Sequence, residues 1–263
     1  ASNKCLQLTV KSVIFFAKAK KPPLFTSAEA GVMCFKEPSV IMDNLHHKSA
    51  VIDHIWLYSR YFGNQLAYLK EIEENGSASL VYLLNLLENI HKSYVDDYES
   101  NFQDVVKKTF ETGLLTQIEY EFLNNKINGI RKLRNIFAHA NLSQFSFQLE
   151  NDASIYPLTE NENCQLLYSK LSDIIFNIIL KIAIAPLNVD LSVNTDIAIK
   201  RLKYKIVTLT PEDILLDKGI DPLSLHGWET LAKSEKYRHA ENASNVNTLA
   251  HIFLAIGNEK QNT

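Results

Sequence analysis

The chain has 263 residues, which is long enough for one large domain or for one domain with an appendage. Apolar residues make up 46% and charged residues 22%, the balance expected of a soluble globular protein with a real core. A net charge of −3 does not indicate a general nucleic-acid-binding protein, although a local basic patch is enough to hold phosphates.

The three cysteines, Cys5, Cys34 and Cys164, are far apart and form no C-x-x-C pair. This spacing argues against a zinc ribbon and against a disulfide framework, so we expect a reducing, cytoplasmic setting. The short apolar run at 13–17 is followed by lysines, and we expect it to belong to the fold and not to a signal peptide. No stretch approaches the roughly 18 uncharged apolar residues of a membrane span, so we expect no membrane partner.

The predicted elements begin with an irregular or extended segment over residues 1–39, because Lys-Lys-Pro-Pro at 20–23 breaks any helix. From residue 40 to about residue 74, apolar residues recur at helical spacing and predict one helix, which Asn75-Gly76 ends. Ser77 or Ser79 is expected to cap the next helix.

That next helix carries its apolar residues on one side between Leu80 and Tyr94. A shorter helix is predicted over residues 102–111. Thr116 and Glu119 then form the T-x-x-E signature of a helix capping box.

After these helices, Phe145, Phe147 and Leu149 alternate with polar residues and predict a short extended stretch. A strongly apolar helix is predicted over residues 163–185, and Pro186 closes it.

These elements predict a mainly α protein with three parts: the segment 1–39, a helical domain over residues 40–186, and a small appendage over residues 187–263. The sequence of the appendage up to Thr210 is of mixed character with β-branched residues. Thr-Pro-Glu-Asp, which begins at Thr210, is a good helix start.

The most informative segment covers residues 126–140 and reads K-I-N-G-I-R-K-L-R-N-I-F-A-H-A. On a helix that advances about 100° per residue, four apolar side chains fall on one arc. These are Ile127, Ile130, Leu133 and Phe137.

Arg131, Asn135 and His139 are spaced four apart and form a separate polar strip. Arg134 is expected to project into the middle of the apolar arc. A buried guanidinium is costly there unless it meets a carboxylate, a polar cleft or an interface.

The run from Arg134 to His139 resembles the R-x(4–6)-H motif of HEPN domains (higher eukaryotes and prokaryotes nucleotide-binding), in which Asn very often follows the Arg directly, as Asn135 does here. The resemblance covers roughly residues 40–186. It implies an antiparallel helical bundle with the motif near the start of a late helix.

The resemblance also implies a metal-independent endoribonuclease that needs no cofactor. The ribose 2′-hydroxyl would attack the adjacent phosphate and leave a cyclic phosphate and a free 5′-hydroxyl. His139 would act as general base or acid, Arg134 would hold the phosphate oxygens, and Asn135 would orient the imidazole or hold the phosphate.

HEPN domains usually pair so that two motifs face one another, which implies a homodimer with a composite active site. The family's usual context implies a toxin or antiphage-defence effector with an antitoxin or sensor protein as a further partner. The alternative is a HEPN-like binding or regulatory module without catalysis; nucleotide transfer is less favoured because no Gly-rich phosphate loop is present.

Further residues are expected to support the catalytic ones. Many HEPN domains place a polar or acidic residue on an earlier helix facing the motif, so Glu88 is a candidate partner for Arg134, with a purely structural carboxylate as the alternative. His91, three residues later, is a weaker candidate. Arg131 is a further supporting residue on the motif helix itself.

Four basic residues are candidates for contacts with an RNA backbone. These are Lys132, Lys200, Arg201 and Lys203. For the segment at 200–205, a lysine-rich solvated edge strand is an equally good interpretation.

A metal site built from Asp43, His46, His47 and His54 is not expected. Adjacent histidines point in different directions, and no further ligand follows at a suitable spacing.

Overall fold

The computed structural model describes residues 44–150, 152, 154–187 and 191–243. The predicted N-terminal segment over residues 1–39, the apolar run at 13–17 and Asp43 lie outside the described residues, as do two of the three cysteines. The third, Cys164, is buried.

The mainly α class predicted from the sequence is confirmed, because most described residues are helical and the strands form one small sheet. The ten described α-helices are α1 (Lys48–Tyr58), α2 (Arg60–Glu71), α3 (Gly76–Val95), α4 (Phe102–Glu111), α5 (Gln117–Asn124), α6 (Ile130–His139), α7 (Asn161–Ile184), α8 (Asp196–Arg201), α9 (Pro211–Asp217) and α10 (Lys233–Asn242). The three strands are β1 (Phe145–Leu149), β2 (Tyr156–Pro157) and β3 (Tyr204–Thr208).

The centre of the fold is the pair formed by α3 and α7, which make the most extensive contact between two described helices. α7 is apolar on nearly every side and is buried along most of its length, as expected of a helix surrounded by other elements. The two backbones approach closely at Gly76, where an added Cβ would lie 2.1 Å from the backbone nitrogen of Gln165. Only glycine fits this crossing.

The single helix predicted over residues 40–74 is wrong, because the chain breaks at Ser59 into α1 and α2. Ser59 has an extended backbone, with φ −149 and ψ 115, and its side chain accepts a hydrogen bond from the backbone of Phe62. The two helices then fold against each other where Gly63 meets Trp56; a Cβ on Gly63 would lie 2.7 Å from the indole ring.

The predicted cap of the next helix is also wrong. Asn75 caps α3, since its side chain accepts from the backbone nitrogen of Ala78 at 3.1 Å. Ser77 and Ser79 lie inside the helix, and the buried Ser79 hydroxyl donates to the backbone carbonyl of Gly76. Asn75-Gly76, which was expected to end the preceding helix, therefore begins α3.

The predicted capping box at α5 is confirmed and has a second function in the fold. The Glu119 carboxylate, fully buried, accepts from the Thr116 backbone nitrogen at 2.8 Å. It also accepts from Lys181 Nζ on α7 at 2.8 Å and from the Thr195 hydroxyl at 2.7 Å. One carboxylate thus connects α5, α7 and the segment that leads into α8.

The predicted extended stretch after the motif is β1, the central strand of an antiparallel sheet with the order β2-β1-β3. In its register, Phe145 lies opposite Thr208 and Leu149 lies opposite Tyr204. Phe147 is fully buried against the helices.

The described residues after 187 contribute in two ways. β3 completes the sheet with β1, whereas residues 209–243 form a second apolar cluster around Leu215, Trp228 and Tyr237. The boundary at 186/187 stays a prediction. No helix in the described part of the chain has the length and apolar character of a membrane span.

Candidate functional site

The motif helix α6 begins at a turn that its own sequence builds. Asn125 Oδ1 accepts from the backbone nitrogens of Ile127 and Asn128, at 2.7 and 3.2 Å. Gly129 follows, and a Cβ there would lie 2.7 Å from the Asn125 carbonyl oxygen, so the turn requires glycine. Asn128 Oδ1 accepts from the backbone nitrogen of Ile206 at 2.9 Å, which fastens the turn to β3.

The buried face of α6 differs from the predicted arc. Ile130, Leu133 and Ile136 are buried, while Ile127 precedes the helix and is 70% exposed. Because the turn at Asn125–Gly129 starts the helix only at Ile130, the centre of the buried arc lies at Leu133. On this corrected arc, Arg134 stands about 100° from the centre, at its edge and not in its middle.

Arg134 is positioned by a contact with the earlier helix α3. Its Nε donates to Glu88 Oε2 on α3 at 3.0 Å, and the two side chains are 24% and 8% exposed. The other carboxylate oxygen of Glu88 receives Lys92 Nζ at 3.0 Å. The structure thus brings together the two residues that the sequence suggested as a pair.

The remaining motif residues gather at the opposite end of the guanidinium. Arg134 Nη1 lies 3.4 Å from Asn135 Oδ1 and 3.5 Å from His139 Nε2. Both contacts are at the long end of hydrogen bonding, so they restrain the guanidinium only weakly. Asn135 and His139 are exposed, so this end of Arg134 opens to solvent.

A concavity of about 380 Å³ lies beside His139, on the side of this residue that faces away from Arg134. Arg131 and Lys132, both predicted as supporting or RNA-contacting residues, line it together with Asn135. Lys126 and Phe145 line it as well, and Lys132 Nζ stands 5.0 Å from the centre of the Phe145 ring.

The other predicted RNA-contacting residues lie at the far end of the sheet. Lys200 and Arg201 end α8, and Lys203 pairs with Glu150 at 2.7 Å. Lys203 lies beyond the Leu149–Tyr204 pair, whereas the concavity meets β1 at Phe145, about 13 Å along the strand. Arg201 and Lys203 line other grooves than the one beside His139.

His91 does not face the motif. It is fully buried, its Nδ1 contacts the Thr109 hydroxyl at 2.9 Å, and burial lowers its pKa to about 3. A buried histidine that resists protonation is a structural group and not a proton carrier at neutral pH. Its place one turn after Glu88 therefore has no bearing on the chemistry of Arg134.

Sequence reasoning missed three residues at this site. Lys92 was findable, because it follows Glu88 by four residues and such pairs face each other on a helix. Lys126 and Phe145 reach the concavity only through the turn before α6 and the start of β1. No local spacing links them to His139.

The structure offers no metal centre within the residues that it describes: no three His, Cys, Asp or Glu side chains are close enough to hold an ion. Of the histidines considered at the start of α1, the His46 Nε2 contacts the Ser192 carbonyl oxygen at 3.2 Å. The His47 Nδ1 contacts the Ser49 hydroxyl at 3.0 Å.

Comparison of the chain with known family models, with curated proteins and with solved structures finds no match. Membership of the HEPN family therefore stays a prediction from the motif. The case for a function rests on the contacts of Glu88, Arg134 and His139.

Proposed function

We propose that the chain is a metal-independent endoribonuclease of the HEPN type, with Arg134, Asn135 and His139 as its catalytic residues. The observation that carries the proposal is the arrangement of the Arg134 guanidinium. Glu88 binds it through Nε, so Nη1 points to Asn135 and His139 at the solvent-exposed end.

This arrangement suits a phosphate. A guanidinium that uses Nε for a buried carboxylate keeps its Nη groups for a second partner, and Arg binds phosphate oxygens through such paired N–H donors. The contacts of Nη1 with Asn135 and His139 are long enough to be exchanged for stronger, charge-assisted ones. Arg134 would then stabilise the charge that grows on the phosphate oxygens in the transition state.

The reaction follows from the neighbours of that phosphate. His139 Nε2 accepts the proton of the ribose 2′-hydroxyl, whose oxygen forms a bond to phosphorus while the bond from phosphorus to the 5′-oxygen breaks. The 5′-oxygen takes a proton from water or from the same histidine of a second copy. The products are a 2′,3′-cyclic phosphate and a 5′-hydroxyl, with no metal required.

A second copy is part of the proposal, since HEPN sites usually lie across a two-fold interface. Five exposed apolar side chains on α1 to α3 support self-association; these are Trp56, Leu57, Tyr61, Tyr68 and Val81. Val81 precedes Glu88 by two helical turns on the same face of α3. A monomer at micromolar concentration in analytical ultracentrifugation would contradict this part.

The catalytic proposal is tested by RNA cleavage in EDTA. Wild type is expected to cut a mixed-sequence RNA and leave 5′-hydroxyl ends, whereas His139→Ala and Arg134→Ala are expected to lose at least a hundredfold in rate. His226→Ala is the matched control. His226 is an exposed histidine in residues 209–243, the segment that forms the second apolar cluster and not the candidate site. Unchanged cleavage by His139→Ala would make the assignment wrong.

A binding or regulatory module without catalysis is the second candidate, and the basic concavity beside His139 favours it. That candidate predicts RNA binding by wild type with no cleavage under any condition. A toxin or defence role is tested separately in cells. Induced wild type is expected to arrest growth, and the Arg134→Ala/His139→Ala double variant is not; an antitoxin or sensor partner would suppress the arrest.

A further inference from the structure

The concavity beside His139 lies on the side of α6 away from Glu88, and of its described lining residues the proposed mechanism uses only Asn135 and His139. Three cations, Lys126, Arg131 and Lys132, line it together with Asn135, His139 and Phe145. It is open to solvent, and a volume of about 380 Å³ places it at the small end of ligand sites. That is room for one unit of a polymer and not for a double helix.

Its charge is one-sided. Three of its lining residues are cations, and none of the described ones is acidic. Elsewhere on the surface, lysines are neutralised: Lys107 lies 3.7 Å from Glu111, and Lys203 lies 2.7 Å from Glu150. In the described residues no carboxylate forms an ion pair with Lys126, Arg131 or Lys132. Neighbouring cations without carboxylates favour an anionic ligand.

The remaining wall is apolar and partly aromatic. Ile136, Ala140 and the half-buried Phe145 form it, and the Lys132 ammonium covers the Phe145 ring at 5.0 Å from its centre. A lysine side chain is long and flexible, so it can leave the ring for a phosphate and expose a flat surface. A cationic rim beside a flat apolar wall is the combination that binds single-stranded nucleic acid, phosphate on the rim and base on the wall.

We infer that this concavity binds the nucleotide adjacent to the cleaved bond of a single-stranded RNA. Arg131, Lys132 and Lys126 hold its flanking phosphates, and Phe145 with Ile136 packs against its base. The inference rests on the proposed function for the position of the cleaved bond, because His139 borders both the concavity and the Arg134 guanidinium. An unpaired nucleotide is required, since bases inside a duplex are stacked and cannot reach the wall.

The binding experiment uses the full chain carrying His139→Ala, so that RNA is not consumed. Fluorescence anisotropy is measured with a short single-stranded RNA, with the same strand in a duplex, and with heparin, over a range of salt concentrations. The variants are Arg131→Ala/Lys132→Ala and Phe145→Leu. Lys107→Ala/Lys108→Ala is the control with the same loss of charge, because both lysines are exposed, are adjacent in sequence and pair with carboxylates.

The Arg131→Ala/Lys132→Ala variant is expected to bind single-stranded RNA at least tenfold more weakly. Its plot of log affinity against log salt is expected to lose about 1.4 in slope, because each phosphate contact on a single strand contributes about 0.7. Phe145→Leu is expected to weaken single-stranded binding about threefold or more without changing the slope, since stacking is not ionic. The control pair is expected to match the parent.

Equal weakening in the control pair would overturn the inference, because it would show a general effect of charge. Binding of duplex as tight as that of single strand, or the same tightness for heparin, would overturn it as well. Circular dichroism melting of each variant confirms that the substitutions leave the fold intact.

Cleavage kinetics separate this inference from the proposed function. In a chain with His139 intact, Arg131→Ala/Lys132→Ala is expected to raise KM about tenfold and Phe145→Leu about threefold, both with little change in kcat. If wild type cuts RNA but these variants cut with an unchanged KM, the inference fails and the function stands. If no protein cuts RNA but Arg131 and Lys132 still govern single-strand binding, the function fails and the nucleotide site stands.

Discussion

The buried imidazole of His91 makes a prediction about stability and pH. The Thr109 hydroxyl donates to the Val105 carbonyl oxygen at 2.8 Å, so it accepts the Nδ1–H of His91 at 2.9 Å. The other ring nitrogen, Nε2, is buried and has no hydrogen-bond partner. Burial therefore lowers the pKa of His91 from 6.5 to about 3. The perturbation we propose is His91→Gln, which removes the titration.

The magnitude follows from the difference between the folded and unfolded chain. Below pH 6.5 the unfolded chain binds a proton at this histidine and the folded chain does not, so falling pH favours unfolding until about pH 3. Each pKa unit is worth about 1.4 kcal/mol, and the 1.5 units between pH 6.5 and pH 5.0 correspond to about 2 kcal/mol. This stability is present above pH 6.5 and is lost progressively as the solution is acidified.

The assay is urea unfolding at pH 7.5 and at pH 5.0. Wild type is expected to lose about 2 kcal/mol more than His91→Gln over this interval, while carboxylates common to both chains cancel. His226→Gln, at an exposed histidine, is expected to behave like wild type. An equal loss in wild type and His91→Gln would refute the reasoning. Should His91→Gln not fold, the imidazole resonance of wild type must show a neutral ring at pH 5.0.

Three further predictions concern single contacts. Glu88→Gln removes the charge that holds Arg134 Nε, and we expect RNA cleavage to fall about 10–100-fold while RNA affinity changes little. Gly76→Ala places a methyl group 2.1 Å from the backbone nitrogen of Gln165, and we expect the stability of the fold to fall by about 3 kcal/mol in thermal unfolding. An unchanged melting temperature would contradict the close approach of α3 and α7. Glu119→Gln leaves Lys181 without its carboxylate and is expected to lower the free energy of unfolding by about 3 kcal/mol. The double variant Glu119→Gln/Lys181→Met, which also removes the unpaired charge, is expected to recover part of this loss. A double variant no more stable than the single one would contradict the prediction.

Local signals in the sequence predicted those elements that are stabilised locally. The capping box at Thr116 and the Thr210-Pro211 helix start are contacts between residues three apart, so spacing alone reveals them. The break at Ser59 has no such signal, because serine is tolerated inside helices and the periodicity continues across it. What separates α1 from α2 is the packing of Trp56 on Gly63, a tertiary contact.

The features of the candidate site also fall into those that the sequence indicated and those that depend on tertiary structure. The resemblance to the R-x(4–6)-H motif grouped Arg134 with Asn135 and His139 and suggested Glu88 as the partner of Arg134, and the structure places these side chains in contact. The apolar arc was misjudged since it included Ile127, which the Asn125 turn removes from the helix. The basic concavity could not be predicted, because it depends on where β1 begins.

The hydrogen bond from the Ile206 backbone to Asn128 determines when, during synthesis of the chain, the turn before α6 is fastened to the sheet. It joins residues 78 positions apart, and at 5–20 residues per second a ribosome needs roughly 4–16 s to cover that distance. For that interval the nascent chain carries the His139 helix without β3 to fasten its leading turn, and β1 has an open edge. The leading turn of the motif helix is thus fastened to the sheet only after residue 206 has been synthesised, although the helix can already pack on α3 and α5.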